Sequence, residues 1–215
     1  MSTNNRIVLI ITVFIFSIAN QSASAQNRLD VPEHYIGLNA GKTGSMINFS
    51  PSVSQSYLLG QNFGISYKYI GNKHTGLQVE LNYSQRGWKE ADDLYARKLD
   101  YIELPFMTHF YFGNSFKIFF NVGPKFSYLL SESLVFDNTD ASTAHQHIDP
   151  VKNKFDYGFC VGPGCLFTIK KQLFLLDIRA NYSVSDIFSN SQSDYFSMSN
   201  NINVSLNFGW QFQLK

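Results

Sequence analysis

The 215-residue chain is 16% aromatic and only 15% charged, with 17 Lys+Arg against 16 Asp+Glu for a formal charge of +1. An ordinary soluble domain is about 25% charged. The shortfall, with 44% hydrophobic residues, argues against a disordered chain, and the near-zero charge argues against nucleic acid as a partner.

Residues 1–25 open with the single basic residue Arg6, run through the mostly apolar Ile7–Ile18 and end on Ala23-Ser24-Ala25. A basic start, an apolar centre and a small-residue A-x-A ending make a cleavable secretory signal peptide. A spanning helix needs about 20 apolar residues, and Asn20 and Gln21 interrupt the run. Gln26 follows Ala25, so the Cys of a lipoprotein start is missing. Removing the segment takes away one Arg and no acid, which leaves a formally neutral mature chain. Residues 26–33 are expected as a short periplasmic lead. No window of residues 26–215 is apolar over about 20 residues, so membrane residence would require a closed barrel.

Eight segments of period-two alternation follow: His34–Lys42, Gly60–Ile70, Gly76–Trp88, Leu99–Phe112, Ser115–Leu130, Lys154–Ile169, Leu173–Ser185 and Asn200–Leu214. Each is long enough to cross a bilayer, which takes about 9–11 tilted residues. One face is apolar and aromatic, as in Ile102, Leu104, Phe106, Phe110 and Phe112 of the fourth segment. The other is small and polar, as in Asn203, Ser205, Asn207, Gly209 and Gln211 of the last. The connections alternate long and short, with roughly 17 residues after the first segment and 23 after the fifth, the order expected of short periplasmic turns and long outer loops.

A soluble sandwich or lipocalin-like barrel also alternates, but it turns a polar face outward and an apolar face inward. Here the small polar face is too meagre for an oily core, and the apolar face is nearly free of charge. Aromatic residues gather at its two ends. Tyr69, Phe110, Phe112, Phe116, Phe167, Phe174 and Phe212 fall toward the periplasmic rim, and Tyr83, Tyr128, Tyr157 and Tyr182 toward the outer one. These are the two interface girdles of a membrane barrel. The expected fold is all-β: an eight-stranded antiparallel up-and-down transmembrane β-barrel over residues 34–215, in the outer membrane of a Gram-negative cell, surrounded by outer-membrane lipid.

The stretches LNYSQRGWK (Leu81–Lys89), LDYIELPFMTHFYFG (Leu99–Gly113) and FNVGPKFSYLL (Phe120–Leu130), with the closing strand, resemble the PorT-like outer-membrane β-barrel family, a porin-family barrel domain. The similarity spans essentially all of residues 34–215. It implies an integral outer-membrane barrel and no single activity, because most members are known only as barrels and the founding type assists a secretion system. The ending also resembles the last-strand signal read by the barrel-assembly machinery, with polar Asn207, then Gly209, then Phe212 and Leu214 at alternate positions. It departs from the usual pattern in closing on Leu214-Lys215 instead of a terminal Phe.

Five bases, Lys68, Arg86, Lys117, Lys125 and Arg179, and four acids, Glu80, Glu103, Asp156 and Asp177, fall on the inward face. An eight-stranded barrel is just wide enough for side chains to fill it, and an unpaired buried ion costs several kcal/mol. These charges are therefore expected to pair as a plug, with a narrow porin-like path for ions or small solutes as the alternative. The function expected is a structural or interaction barrel. A protein partner would meet its outer loops, residues 131–153 above all, or its periplasmic turns. An accessory barrel of a protein secretion system is the third reading.

No enzyme, cofactor or metal is expected. His109 shares the inward face with Glu103, Ser84 and Ser127, but Glu103 and His109 stand about 20 Å apart along one strand. Asp137, Asp140, His145, His147 and Asp149 have only weak metal-ligand spacing and read better as a solvated loop. Cys160 and Cys165 point to opposite faces about 16 Å apart, beyond disulfide reach. Pro105, Pro124 and Pro163 each remove a ladder donor inside a strand. Bulges are expected there, with register shifts that exchange inward and outward positions beyond them.

Overall fold

Side chains that are large and apolar at alternate positions, many of them aromatic or β-branched, favour an extended chain that packs on a pleated surface. A computed structural model describes residues 28–113, 116–137, 144–188 and 195–214, with side chains at all of these except 28–31 and 136–137. The expected signal segment, residues 1–25, lies outside the described residues, as do Asp140 and the side chain of Asp137.

In chain order the elements are β1 (Arg28–Ser50), β2 (Gln55–Ser56), β3 (Leu58–Asn72), β4 (Thr75–Glu90), β5 (Tyr95–Gly113), β6 (Phe116–Asp137), the helical turn α1 (His145–Ile148), β7 (Phe155–Ile169), β8 (Gln172–Asp186) and β9 (Met198–Gln213). Eight long strands pair antiparallel in a closed ring, from β1 through β3 to β9 and back to β1; the two-residue β2 adds to the outer end of β4. One inward row of directly paired residues runs Phe119, Gly164, Asp177, Asn207, Gly41, Asn62, Ser84 and Tyr101. It returns to β6 at Leu129, ten positions beyond its start. Eight strands with that stagger tilt by roughly 40° from the barrel axis.

Short turns sit at one end of the barrel. Lys73 and His74 join β3 to β4, where the Asn72 carboxamide oxygen accepts from the backbone N–H groups of His74 and Thr75. Lys170, at φ 56°, turns β7 into β8, and Gly113, at φ 103°, ends β5 before the third short connection. Longer connections lie at the opposite end, so that end is extracellular and the short turns are periplasmic.

The three prolines cause no register shift, which corrects the expectation of bulges. Pairing between β4 and β5 resumes in the same register at Val79–Phe106 and Asn82–Glu103 on either side of Pro105. Pro105–Lys125 and Thr108–Val122 flank Pro124 in the same way, and Val161–Ala180 and Gly164–Asp177 flank Pro163. In an antiparallel ladder each residue's N–H serves one neighbouring strand only, so a proline opens a gap on one side while the other side holds the register. A glycine precedes Pro124 and Pro163, and a Cβ at Gly123 or Gly162 would collide with the carbonyl of Phe106 or Ile178, the residue across from each proline. The same close approach occurs at Gly37, Gly64 and Gly158, where no proline follows, so it belongs to inward glycines of the ring generally.

Two connections are much shorter than expected. β1 runs to Ser50 and β3 begins at Leu58, while β4 runs to Glu90 and β5 begins at Tyr95. At these outer ends the pattern inverts: the inward residues become large and apolar, Ile47, Phe49, Trp88, Tyr95 and Leu99, all buried. The strands therefore rise beyond the bilayer as an ordinary protein sheet with an oily inside. At the other end β1 begins at Arg28, within the lead expected to precede the barrel.

The charged interior and outer cap as candidate functional site

Inward positions in the middle of the ring are polar, and the interior is layered along the axis. At the periplasmic end Tyr35, Ile70, Tyr111, Phe119, Leu166, Leu173 and Leu175 pack into an apolar cluster. Just above it Lys68 is buried, its Nζ 5.5 Å from the Phe119 ring centroid and 5.8 Å from that of Tyr111, with no hydrogen-bond acceptor among the described residues. His109 is fully buried against Phe119, ring centroids 4.8 Å apart. Among the described residues neither of its ring nitrogens has a hydrogen-bond partner, Ser84 and Ser127 included. The serine, histidine and glutamate considered for catalysis are not brought together.

In the middle layer Arg179 holds two acids at once, Glu80 at 2.9 Å and Asp177 at 3.1 Å. Gln78 and Asn82 donate to Glu80, and Asn207 donates to Asp177. Inward glycines make room for bridges between strands that are not neighbours. Asn39 of β1 donates to Asn82 of β4 across Gly64 of β3, and Asn62 of β3 donates to Asn207 of β9 across Gly41 of β1.

The upper layer is built on Arg86, fully buried, which bonds Glu103 at 2.5 Å and Asp156 at 2.8 Å while its guanidinium stacks 4.0 Å from the Tyr101 ring centroid. Lys125 lies 3.7 Å from Glu103, and Ser183 and Ser185 both donate to Asp156. Of the nine charges expected inside, eight are buried, four bases with four acids. Lys117 is the exception: it is half-buried at the periplasmic rim, 5.6 Å from the Tyr111 ring centroid, which corrects the expected excess of one base.

Above the charges, Ile47, Phe49, Trp88, Tyr95, Leu99, Tyr101, Leu129, Val151, Ile187, Phe188 and Phe196 form a second apolar cluster across the outer mouth. The connection carrying α1 folds over it. Arg97 donates to the backbone carbonyls of His147 and Asp149 and, through Nε, to the Tyr95 hydroxyl oxygen at 2.8 Å. His147 stacks on Tyr95 and bonds Glu90 at 2.8 Å, and Gln146 donates to the same carboxylate. His145 instead pairs with Asp149 and stacks on Tyr195. The two histidines therefore point to different partners, and no metal-ligand cluster occurs among the described residues. This cap was not legible in the sequence, because its parts lie far apart in the chain; the one local signal was the apolar inward residues Trp88 and Tyr95.

Cys160 is buried, its Sγ–H facing the Gly123 carbonyl, and Cys165 is half-buried; both are free, as expected. In the last strand Asn207 and Gly209 face inward, and Phe212 and Leu214 are exposed on the outer face. The outer face is predominantly apolar, with Phe110, Phe112, Phe116, Phe167 and Phe212 exposed near the periplasmic rim and Tyr128, Tyr157 and Tyr182 toward the outer one.

A ring of tilted antiparallel strands with an oily exterior, two aromatic girdles and ion pairs inside is the architecture of an outer-membrane β-barrel. The family described as outer membrane protein beta-barrel domain matches residues 21–189, and the chain belongs to it. The protein is thus a multi-strand barrel of the outer membrane. Among solved structures it is similar to the outer membrane protein OprG from Pseudomonas aeruginosa, at 10% identity and TM-score 0.49, over 87% of this chain and 97% of that one. It is also similar to Neisserial surface protein A, at 15% identity and TM-score 0.49, over 85% and 99%. A third similar structure is Ail of Yersinia pestis, at 14% identity and TM-score 0.44, over 84% and 99%. No curated protein matches the chain.

Proposed function

We propose that this protein is a non-catalytic outer-membrane barrel with a side-chain-plugged interior, acting as a structural and interaction module through its outer face. The observation that carries this reading is the ordered cap, in which Arg97, Glu90 and Tyr95 hold the α1 connection by its backbone and side chains. A surface ordered before it meets a partner loses less conformational freedom on association. The cap exposes Ile148 and Tyr195 beyond the bilayer, at 58% and 53%, and apolar and aromatic side chains of this kind anchor protein interfaces.

A narrow porin-like channel is the alternative, and it requires Arg86 and Arg179 to leave their carboxylates and both apolar clusters to part. The finer PorT-like resemblance favours an accessory role in protein secretion, and in that case deletion abolishes export of cargo. In biogenesis, the closing strand through Asn207, Gly209, Phe212 and Leu214 serves as the signal to the assembly machinery.

A photo-crosslinking residue at Ile148 or Tyr195, in cells, tests the interaction reading. A discrete adduct formed at these positions and lost in Arg97→Ala supports it. No adduct at either position, with loss of secreted cargo on deletion, moves the function to the accessory role.

A further inference from the structure

The outward face carries an anomaly that the barrel architecture leaves unexplained. Between the periplasmic aromatic rim and the tyrosines Tyr83, Tyr128, Tyr157 and Tyr182, the outward positions of the described strands hold a single formally charged side chain, Lys42 of β1. Its direct neighbours across the ladders are Gln61 of β3 and Leu206 of β9. With strands tilted by about 40°, Lys42 lies about 5 Å below the mean level of Tyr128, Tyr157 and Tyr182. An ammonium group at that depth is costly unless its stem carries it up to the headgroups.

The residue above it on the same face is Gly44, and the missing side chain opens a groove of about 330 Å³ walled by Leu59, Ile178, Val204 and Leu206. We propose that Lys42 and this groove bind a lipid of the outer leaflet whose phosphate headgroup is net anionic, with an acyl chain along the apolar wall. The ammonium rises over Gly44 to meet the phosphate, and Gln61 stands beside it as a further donor. A single cation at the head of an otherwise oily groove complements an amphiphile with one anionic end and one apolar tail. The alternative occupant, a zwitterionic lipid, also carries a phosphate, but its own ammonium already balances that charge, so it gains less from Lys42 than a net-anionic headgroup does.

The refolded full chain, in detergent micelles holding equimolar phosphatidylglycerol and phosphatidylcholine of matched chains, is assayed by native mass spectrometry for lipid retained. The proposal predicts a preference for phosphatidylglycerol of about fivefold, the scale that one lysine supplies near an anionic surface. Lys42→Gln brings the ratio close to one, and Gly44→Leu reduces all retained lipid by filling the groove. A Cβ at Gly44 meets only the Tyr57 side chain, at an ordinary contact distance of 3.7 Å, so the backbone there admits a side chain. Altered gel mobility on boiling establishes that each variant is folded, and Gly44→Ala replaces Gly44→Leu if the larger side chain prevents folding. The proposal is overturned if Lys42→Gln keeps the preference, if Gly44→Leu retains as much lipid as wild type, or if the outward lysine variant Lys98→Gln lowers the ratio equally.

Discussion

Arg86 and Lys68 show that two buried cations in one barrel have opposite consequences for stability. Arg86 spans Glu103 and Asp156, so Arg86→Met strands two buried carboxylates, and removing one partner of such a network costs about 3–5 kcal/mol. Lys68 has no hydrogen-bond acceptor among the described residues and sits over two aromatic rings. Lys68→Met therefore exchanges a poorly satisfied ion for an apolar chain of similar size and is expected to leave stability unchanged or raise it by about 1–2 kcal/mol. Urea unfolding from lipid vesicles measures both; equal losses in the two variants would contradict the assignment of Arg86 as the hub. Glycine substitutions divide in the same manner. Gly162→Ala drives a methyl group into the Ile178 carbonyl and is expected to cost about 1–3 kcal/mol or to abolish refolding, whereas Gly44→Ala is expected to be neutral. The alternation that assigned the inward charges was readable one residue at a time. Which cation meets which carboxylate was not, because Arg86 and Asp156 are brought together only by ring closure and stagger.

At the scale of the element, the strands obey two successive rules. Within the bilayer they turn apolar residues outward, and beyond it Ile47, Phe49, Trp88 and Tyr95 turn inward. The first rule alone ends β1 at Lys42 and leaves its outer part as a loop. The prolines mislead for a different reason: a missing donor opens a gap in one ladder without shifting the strand, because the opposite ladder fixes the register. The α1 connection gives an element-scale prediction. Arg97→Ala removes the donor to the carbonyls of His147 and Asp149, and hydrogen bonds to a charged group are worth about 1.5–3 kcal/mol. Cleavage by external protease within residues 138–154 should rise several-fold in this variant while the barrel keeps its heat-modifiable gel mobility. Unchanged cleavage would mean that the cap is held mainly by Val151 and the apolar cluster beneath it.

For the whole molecule, location and shape were legible from composition and period, because a lipid-facing sheet must invert the usual order of faces and a closed ring must carry an even, staggered set of strands. The outer cap and the groove at Lys42 were not, since both depend on residues brought together by the ring. N-terminal sequencing of protein from outer membranes should begin at Gln26; a start at Met1 would contradict the signal reading. The central claim is that the barrel is sealed, with apolar clusters at both ends and a network of four bases and four acids between, and that it acts through its outer face. Single-channel recording of the refolded mature chain in planar bilayers tests this most directly. The account predicts an inserted, heat-modifiable barrel that is electrically silent. Steady conductance that shifts when Glu103 is neutralised would contradict it and make the interior charges the lining of a path.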